Sequence, residues 1–196
     1  MTKTLHGLGF AAVLRYWPRI KVAKGSDRAD NLTNAVCGAR VPDDIKRLVS
    51  KLHTKGREVK PHAVEGHELL DLAVTFECEP SEEWAAEGFD IHRVCGYAVK
   101  AMALAAERRP HEGIDFSDMI FLPVRNGWLS KRFDLVVVDE AQDMTVAQLE
   151  IARGICRGRI VVVGDDRQAI YGFRGADSES LDRLKTELNA RELGLT

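Results

Sequence analysis

What this sequence lacks narrows the field first. Cysteine appears only as Cys37, Cys78, Cys95 and Cys156, and no two form a Cys-x-x-Cys pair. A zinc site wants closer ligand pairs than these. His92 and Cys95 share helical spacing, but a lone pair of that kind is ordinary packing. The four cysteines read as reduced thiols. No apolar run approaches the ~20 residues that span a bilayer, and the N-terminus has no apolar signal core. The expectation is a cytoplasmic protein without membrane contact. Net charge is only −2, so no global basic field advertises nucleic acid, and any such contact must be a local patch. Nowhere is there a Gly-x-x-x-x-Gly-Lys-Ser/Thr, the loop that cradles nucleotide phosphates and supplies a lysine and a Mg²⁺-binding hydroxyl.

What is present is an ordinary globular composition, 45% hydrophobic and 30% charged over 196 residues. Two short, wholly apolar, β-branched runs stand out: Leu135 to Val138 and Ile160 to Val163. Such runs suit strands buried on both faces, as in a parallel sheet flanked by helices. Each ends abruptly in acids, Asp139 and Glu140 after the first, Asp165 and Asp166 after the second. Ligands of open α/β sheets collect beyond the carboxyl ends of the strands. Asp139 is therefore a candidate Mg²⁺ ligand, since that ion is usually held by one or two carboxylates plus phosphate oxygens and water. The alternative is that Asp139 caps the following helix. Glu140 could orient or deprotonate a water. Beyond the second run, Gln168 is followed by Tyr171, Phe173 and Arg174, with Gly172 and Gly175 between them. Aromatics beside an arginine suit stacking on unpaired bases, although core packing is the commoner fate of such rings.

Together these blocks resemble motifs II and III of the UvrD/Rep-type superfamily I DNA helicases. Asp139, Glu140, Gln142 and Asp143 meet the pattern Asp-Glu-x-Gln-Asp. Gly164, Asp165, Gln168, Ile170, Tyr171, Phe173, Arg174, Gly175 and Ala176 meet the second, with Phe173 where many members carry Trp. Thr4-Leu5-His6-Gly7-Leu8 resembles a shorter motif of the same family, in which Thr4 and His6 would touch single-stranded DNA. By residues alone His6 reads as a packing residue near a helix end.

The resemblance implies an α/β fold: part of a RecA-like, P-loop NTPase-type parallel sheet without its phosphate-loop unit, carrying an all-helical insertion subdomain. Residues 1–20 and 112–196 would belong to the RecA-like domain called 1A, and 21–111 to the helical insertion called 1B. The roles it implies are as follows. Asp139 holds Mg²⁺ on ATP, and Glu140 activates water. Gln168 senses the γ-phosphate. Gln142, Gly164, Asp165 and Arg174 serve the nucleotide. Tyr171, Phe173 and Arg174 contact DNA. The phosphate loop would lie upstream of Thr4 and a second motor domain beyond Thr196, so the implied partners are single-stranded DNA and the remainder of the helicase. The chain alone would then be inactive. The main alternative is a non-hydrolytic DNA-binding or regulatory remnant of the same fold. A two-metal nuclease or polymerase site built on Asp139, Asp165 and Asp166 is a third reading, in which Gln168 to Ala176 have no place.

Between these blocks the pattern is helical. Ile45, Leu48, Val49 and Leu52 follow a Pro42-Asp43 start. Ser81 precedes two acids as a natural N-cap, and Ile91 to Ala105 repeat at helical spacing. Pro110 and Gly113 punctuate a break, after which Asp115 or Ser117 caps another helix. Arg15, Arg19, Lys21, Lys24 and Arg28, interleaved with Tyr16 and Trp17, form a basic run that fits a phosphate-tracking groove or, more blandly, a solvated loop. Asp177 or Ser178 would cap a last helix bearing Leu181, Leu184 and Leu188 on one face.

Overall fold

The computed structural model describes residues 3–23, 25, 27–107, 110–111, 113–165 and 180–194. Helix α1 is Leu5–Tyr16. Five helices follow it: α2 (Asp27–Cys37), α3 (Asp43–Val59), α4 (Leu70–Thr75), α5 (Glu82–Ala86) and α6 (Ile91–Glu107). Then come α7 (Phe116–Arg125), strand β1 (Phe133–Val138), α8 (Val146–Ile155), strand β2 (Cys156–Val162) and α9 (Ser180–Leu188). Among the described residues no helix is long and apolar enough to cross a membrane.

The helix starts follow the local chemistry. Ser81 accepts from the Trp84 N–H, and Asp115 rather than Ser117 caps α7, accepting from the Asp118 N–H at 2.7 Å. Each satisfies one of the donors that a first helical turn leaves orphaned. The cap expected at Asp177 or Ser178 lies outside the described residues. Leu184 is buried, and Leu188 packs on the same cluster.

The two apolar runs pair in parallel, with Val136 opposite Ile160 and Val138 opposite Val162. Among the described residues only one face of this pair is covered. Val136 and Val138 pack toward Leu149 and Ala152 of α8. Leu135 and Val137 remain 55% and 61% exposed. The expectation of burial on both faces is thus corrected: all helices that touch the sheet among the described residues lie on one side.

Helix α7 is buried nearly all round, from Ser117 to Val124. Met119, Phe121 and Leu122 join the core of the helical segment, while Ile120 and Val124 pack with Ala147, Ile151 and Ile155 of α8. A helix apolar on every side belongs in the middle of a fold. Its neighbour α1 runs alongside in the same direction, with His6 near Phe116 at one end and Tyr16 stacked on Trp128 at the other. Gly9 permits that approach, because a Cβ there would overlap the Met119 carbonyl oxygen. The chain leaves α1 and later returns to α7 at one place. Ile114 N–H donates to Lys21 O at 2.9 Å, and Ala23 N–H donates to Ile114 O at 2.8 Å. Gly113 beside this bridge has φ +102°, and a Cβ would sit 2.6 Å from Lys21 O.

Helices α2, α3 and α7 meet at a buried charge cluster. The Arg57 guanidinium, fully buried, donates to both oxygens of Asp115 at 2.9 and 2.8 Å and to Asp118 at 2.8 Å. The Arg28 Nε donates to the other oxygen of Asp118 at 2.8 Å, and its Nη2 reaches the Ala105 carbonyl at 3.2 Å. This corrects the placing of Arg28 in a solvent-facing basic run: it is 4% exposed and committed to Asp118. Desolvation works to raise the Asp115 carboxyl, but the Arg57 charge and hydrogen bonds outweigh it and hold the group below its usual range. Nearby, His53 Nε2 lies 3.1 Å from Thr33 Oγ1 and 3.3 Å from Ala29 O. Burial, reinforced by the Arg57 charge, pushes the His53 imidazole down to about 3.

Removing one partner of a buried ion pair strands the others, which typically costs about 3–5 kcal/mol. Arg57→Met should therefore lower unfolding stability by that order in urea titration. His53 gives a pH signature. Its folded pKa lies below the unfolded value of about 6.5, so the unfolded state takes up the proton first. Stability is fully present above about pH 6.5 and declines as pH falls toward about 3, by on the order of 4 kcal/mol over the window. Denaturation series at several pH values should show this slope in the parent and a flatter one in His53→Gln.

Candidate functional site

Strand β1 delivers Asp139 and Glu140 to its carboxyl end, and β2 delivers Gly164 and Asp165 to the same end. Past the last strand pairs the chains stay joined. Val163 N–H donates to Val138 O at 2.8 Å, and Ala141 N–H donates to Val163 O at 3.0 Å. Gln142, 2% exposed, completes the link with its side chain: Nε2 donates to Glu140 Oε2 at 2.7 Å, and Oε1 accepts from the Asp165 N–H at 3.2 Å. One buried amide therefore fixes the glutamate of the first acidic end against the backbone of the second.

Glu140 itself has φ 53° and ψ 43°, the left-handed region. A non-glycine residue there costs about 1–2 kcal/mol, and such outliers gather at functional sites. The turn presents both carboxylates to solvent: Asp139 and Glu140 are exposed. The capping alternative for Asp139 does not hold. Thr145 caps α8 in a reciprocal box with Gln148, and Asp139 Oδ1 accepts only the adjacent Glu140 N–H at 3.1 Å among the described contacts.

The start of α1 lies close by. Thr4 is exposed and caps α1, accepting from the Gly7 N–H at 3.1 Å. His6 is half-buried, edge-on to Phe116 with ring centroids 6.1 Å apart. Burial lowers its pKa against the opposing pull of Glu58. His6 lines a polar cleft of about 280 Å³ with Lys55, Glu58, Asp143, Thr145 and Gln148. One residue from each of two motifs far apart in sequence, His6 and Asp143, thus lines one cleft. Lys55 and the 67% exposed Phe116 also belong to this neighbourhood. Sequence reasoning missed Lys55, which carries no local signal beyond its place on a helix.

The residues fit a Mg²⁺ ion shared with a phosphate group. That ion needs only one or two carboxylates from the protein, and Asp139 and Glu140 are hard oxygen donors open to solvent. Among the described residues no group of three His, Cys, Asp or Glu side chains is placed to hold a metal ion. Asp166, Gln168, Ile170, Tyr171, Phe173, Arg174, Gly175 and Ala176 lie outside the described residues.

The arrangement so far defines a strand-helix-strand unit with a carboxylate edge, set beside a mostly helical body. A family model described as UvrD/REP helicase N-terminal domain matches residues 1–189, and the chain belongs to that family. Among curated relatives it is similar to the ATP-dependent DNA helicase Rep of Escherichia coli (strain K12), 38% identical over 88 residues. That match covers 39% of this chain and 13% of the helicase. Rep of Salmonella typhimurium is 36% identical over 91 residues, 41% of this chain and 13% of that protein. DNA helicase II of E. coli is 33% identical over 90 residues, 40% and 12% respectively. The matched stretch is thus about an eighth of each relative's length.

Gln142→Ala removes both bonds of the buried bridge. Stranding buried polar partners typically costs about 1–3 kcal/mol, and urea titration of the variant should show a loss in that range.

Proposed function

We propose that the chain is a segment of an ATP-dependent DNA helicase that translocates on single strands with 3′-to-5′ polarity. Residues 1–20 and 112–196 form part of its first, RecA-like motor domain, and 21–111 form the helical insertion. The observation that carries this reading is the Gln142 bridge. It couples Glu140 to the backbone of Asp165, as a pocket built from both strand ends requires. The family match and the parallel strand pair support it. The Lys21–Ile114 and Ala23–Ile114 backbone bonds support the domain division.

In this reading Asp139 would hold Mg²⁺, which when bound would supply neutralisation of charge on the transferring phosphoryl group. Glu140 orients and deprotonates the attacking water; the bond from Gln142 Nε2 holds its carboxylate in place. Gly164 and Asp165 line the pocket, Gln168 reads the γ-phosphate, and Arg174 and Asp143 link it to the DNA side. Thr4, His6, Tyr171, Phe173 and Arg174 contact the strand. The shared cleft of His6 and Asp143 supports a short path between the two functions. ATP hydrolysis needs the phosphate-loop segment and a second motor domain, and these 196 residues, which contain no phosphate-loop sequence, do not turn over ATP by themselves.

Glu140→Gln tests the assignment. The amide oxygen can still accept from Gln142, so geometry is kept while the base is lost. In the helicase that carries this chain, DNA-stimulated ATP hydrolysis should fall by about 10²-fold or more, the lower end of what a positioned base contributes. Undiminished turnover would remove Glu140 from the role. ATP turnover by the 196-residue chain alone would overturn the requirement for the other parts.

A further inference from the structure

The end of the sheet opposite the acidic edge has a different chemistry. Helices α1 and α7 both run toward it, and β1 and β2 start from it. There the rings of Tyr16 and Trp128 stack, with centroids 4.6 Å apart and planes 12° from parallel. Trp17 meets the same indole edge-on at 5.2 Å. The Arg15 guanidinium donates to the Trp128 carbonyl at 3.0 Å, fixing a cation beside the stack. Tyr16 remains 54% exposed.

The loop that leaves Trp128 is tied to the α8–β2 junction. Arg132 N–H donates to Ile155 O at 2.8 Å. This brings Lys131 and Arg132 alongside Arg153 and Arg157, and all four are exposed. The carboxylate amid them, Asp134, is taken up by Arg157 in a two-pronged pair at 2.6 and 2.9 Å. Lys131, Arg132 and Arg153 have no carboxylate partner among the described residues. In a protein of net charge −2 this is a concentrated positive surface. Unpaired cations on the loop that leads away from an exposed, rigidly backed ring match a phosphodiester chain with unstacked bases. The rings have no counterpart in what an acidic peptide needs.

We propose that this surface binds single-stranded nucleic acid, as a second contact at the opposite end of the sheet from the acidic edge. The phosphates lie along Arg15, Lys131, Arg132 and Arg153, and a base stacks on Tyr16, whose other face is backed by Trp128. The surface rests on its own charges and rings and does not depend on what the acidic edge binds.

The test is binding of a fluorescent oligothymidylate to the full chain, read by anisotropy across a salt series. The variants are Arg132→Glu with Arg153→Glu, Tyr16→Ala, and His6→Ala as reporter of the acidic edge, each checked for fold by circular dichroism. The double reversal should weaken binding by about tenfold or more. It should also reduce the log–log salt slope by roughly 1.4, at about 0.7 per phosphate contact on a single strand. Tyr16→Ala should weaken binding about thirtyfold, the middle of the range for a base–aromatic stack. Absence of binding by the parent chain at low salt would overturn the proposal, as would unchanged affinity in both folded patch variants. Loss of binding in His6→Ala alone would overturn it while leaving the acidic edge as a strand contact. Displacement of the oligonucleotide by polyglutamate at matched charge concentration would overturn it in favour of an acidic protein segment.

Discussion

The meeting of Arg57 and Arg28 with Asp115 and Asp118 is the constraint on which the rest hangs. Charges taken out of water are costly, and their mutual attraction repays that cost only in close, multiply hydrogen-bonded geometry. Here the geometry is of that kind: both oxygens of Asp118 accept from guanidinium groups, and Arg57 grips both oxygens of Asp115. An apolar cluster of equal volume could hold the same helices together, but it would tolerate sliding. This cluster does not, because a shift of α3 along α7 by one turn, about 5.4 Å, would part Arg57 from both Asp115 and Asp118. The first turn of α7 is thereby fixed to α2 and α3. Its further length then seats α1 through Gly9 and α8 through Ile120 and Val124. Helix α8 in turn backs the strands that end in Asp139 and Asp165. The placement of the acidic edge is therefore a consequence of ion pairs remote from it.

Much of this was readable in the residues, for local reasons. The β-branched runs became the strands, and Ser81 and Asp115 became caps, because each depends on neighbours within a few positions. The UvrD/Rep resemblance, carried by Asp139 to Asp143 and Gly164 to Ala176, is matched by the family model. What escaped depends on partners far along the chain. Arg28 looked like a surface cation until Asp118, ninety residues on, was found to hold it. In the sequence Gln142 is a motif position; its bond to the Asp165 N–H appears only when the two strands are in register. The open face bearing Leu135 and Val137 also misled, since an apolar run says what a strand prefers and not what is there to cover it.

The distribution of charge along the strands is uneven in a way that net charge hides. Carboxylates gather where β1 and β2 finish, and guanidinium and ammonium groups gather where they begin. Between the two lie helices whose own charges are largely paired or solvated, such as Lys60 with Asp71. A formal sum near zero is compatible with two ends of opposite electrostatic character, and each end can attract its own partners within a Debye length, about 8 Å at physiological salt.

The bridge at Val22 and Ile114 has a topological consequence. Everything between those residues departs from and comes back to a single point, so it hangs like a loop closed by a clasp. A segment suspended in this way can lengthen or shorten without pulling on the strands, since the distance it must span never changes. Its freedom stops at α2 and α3, whose arginines key into α7. The helical lobe is thus unconstrained in extent but locked in attitude, and variation in it should fall on the far side from Asp118.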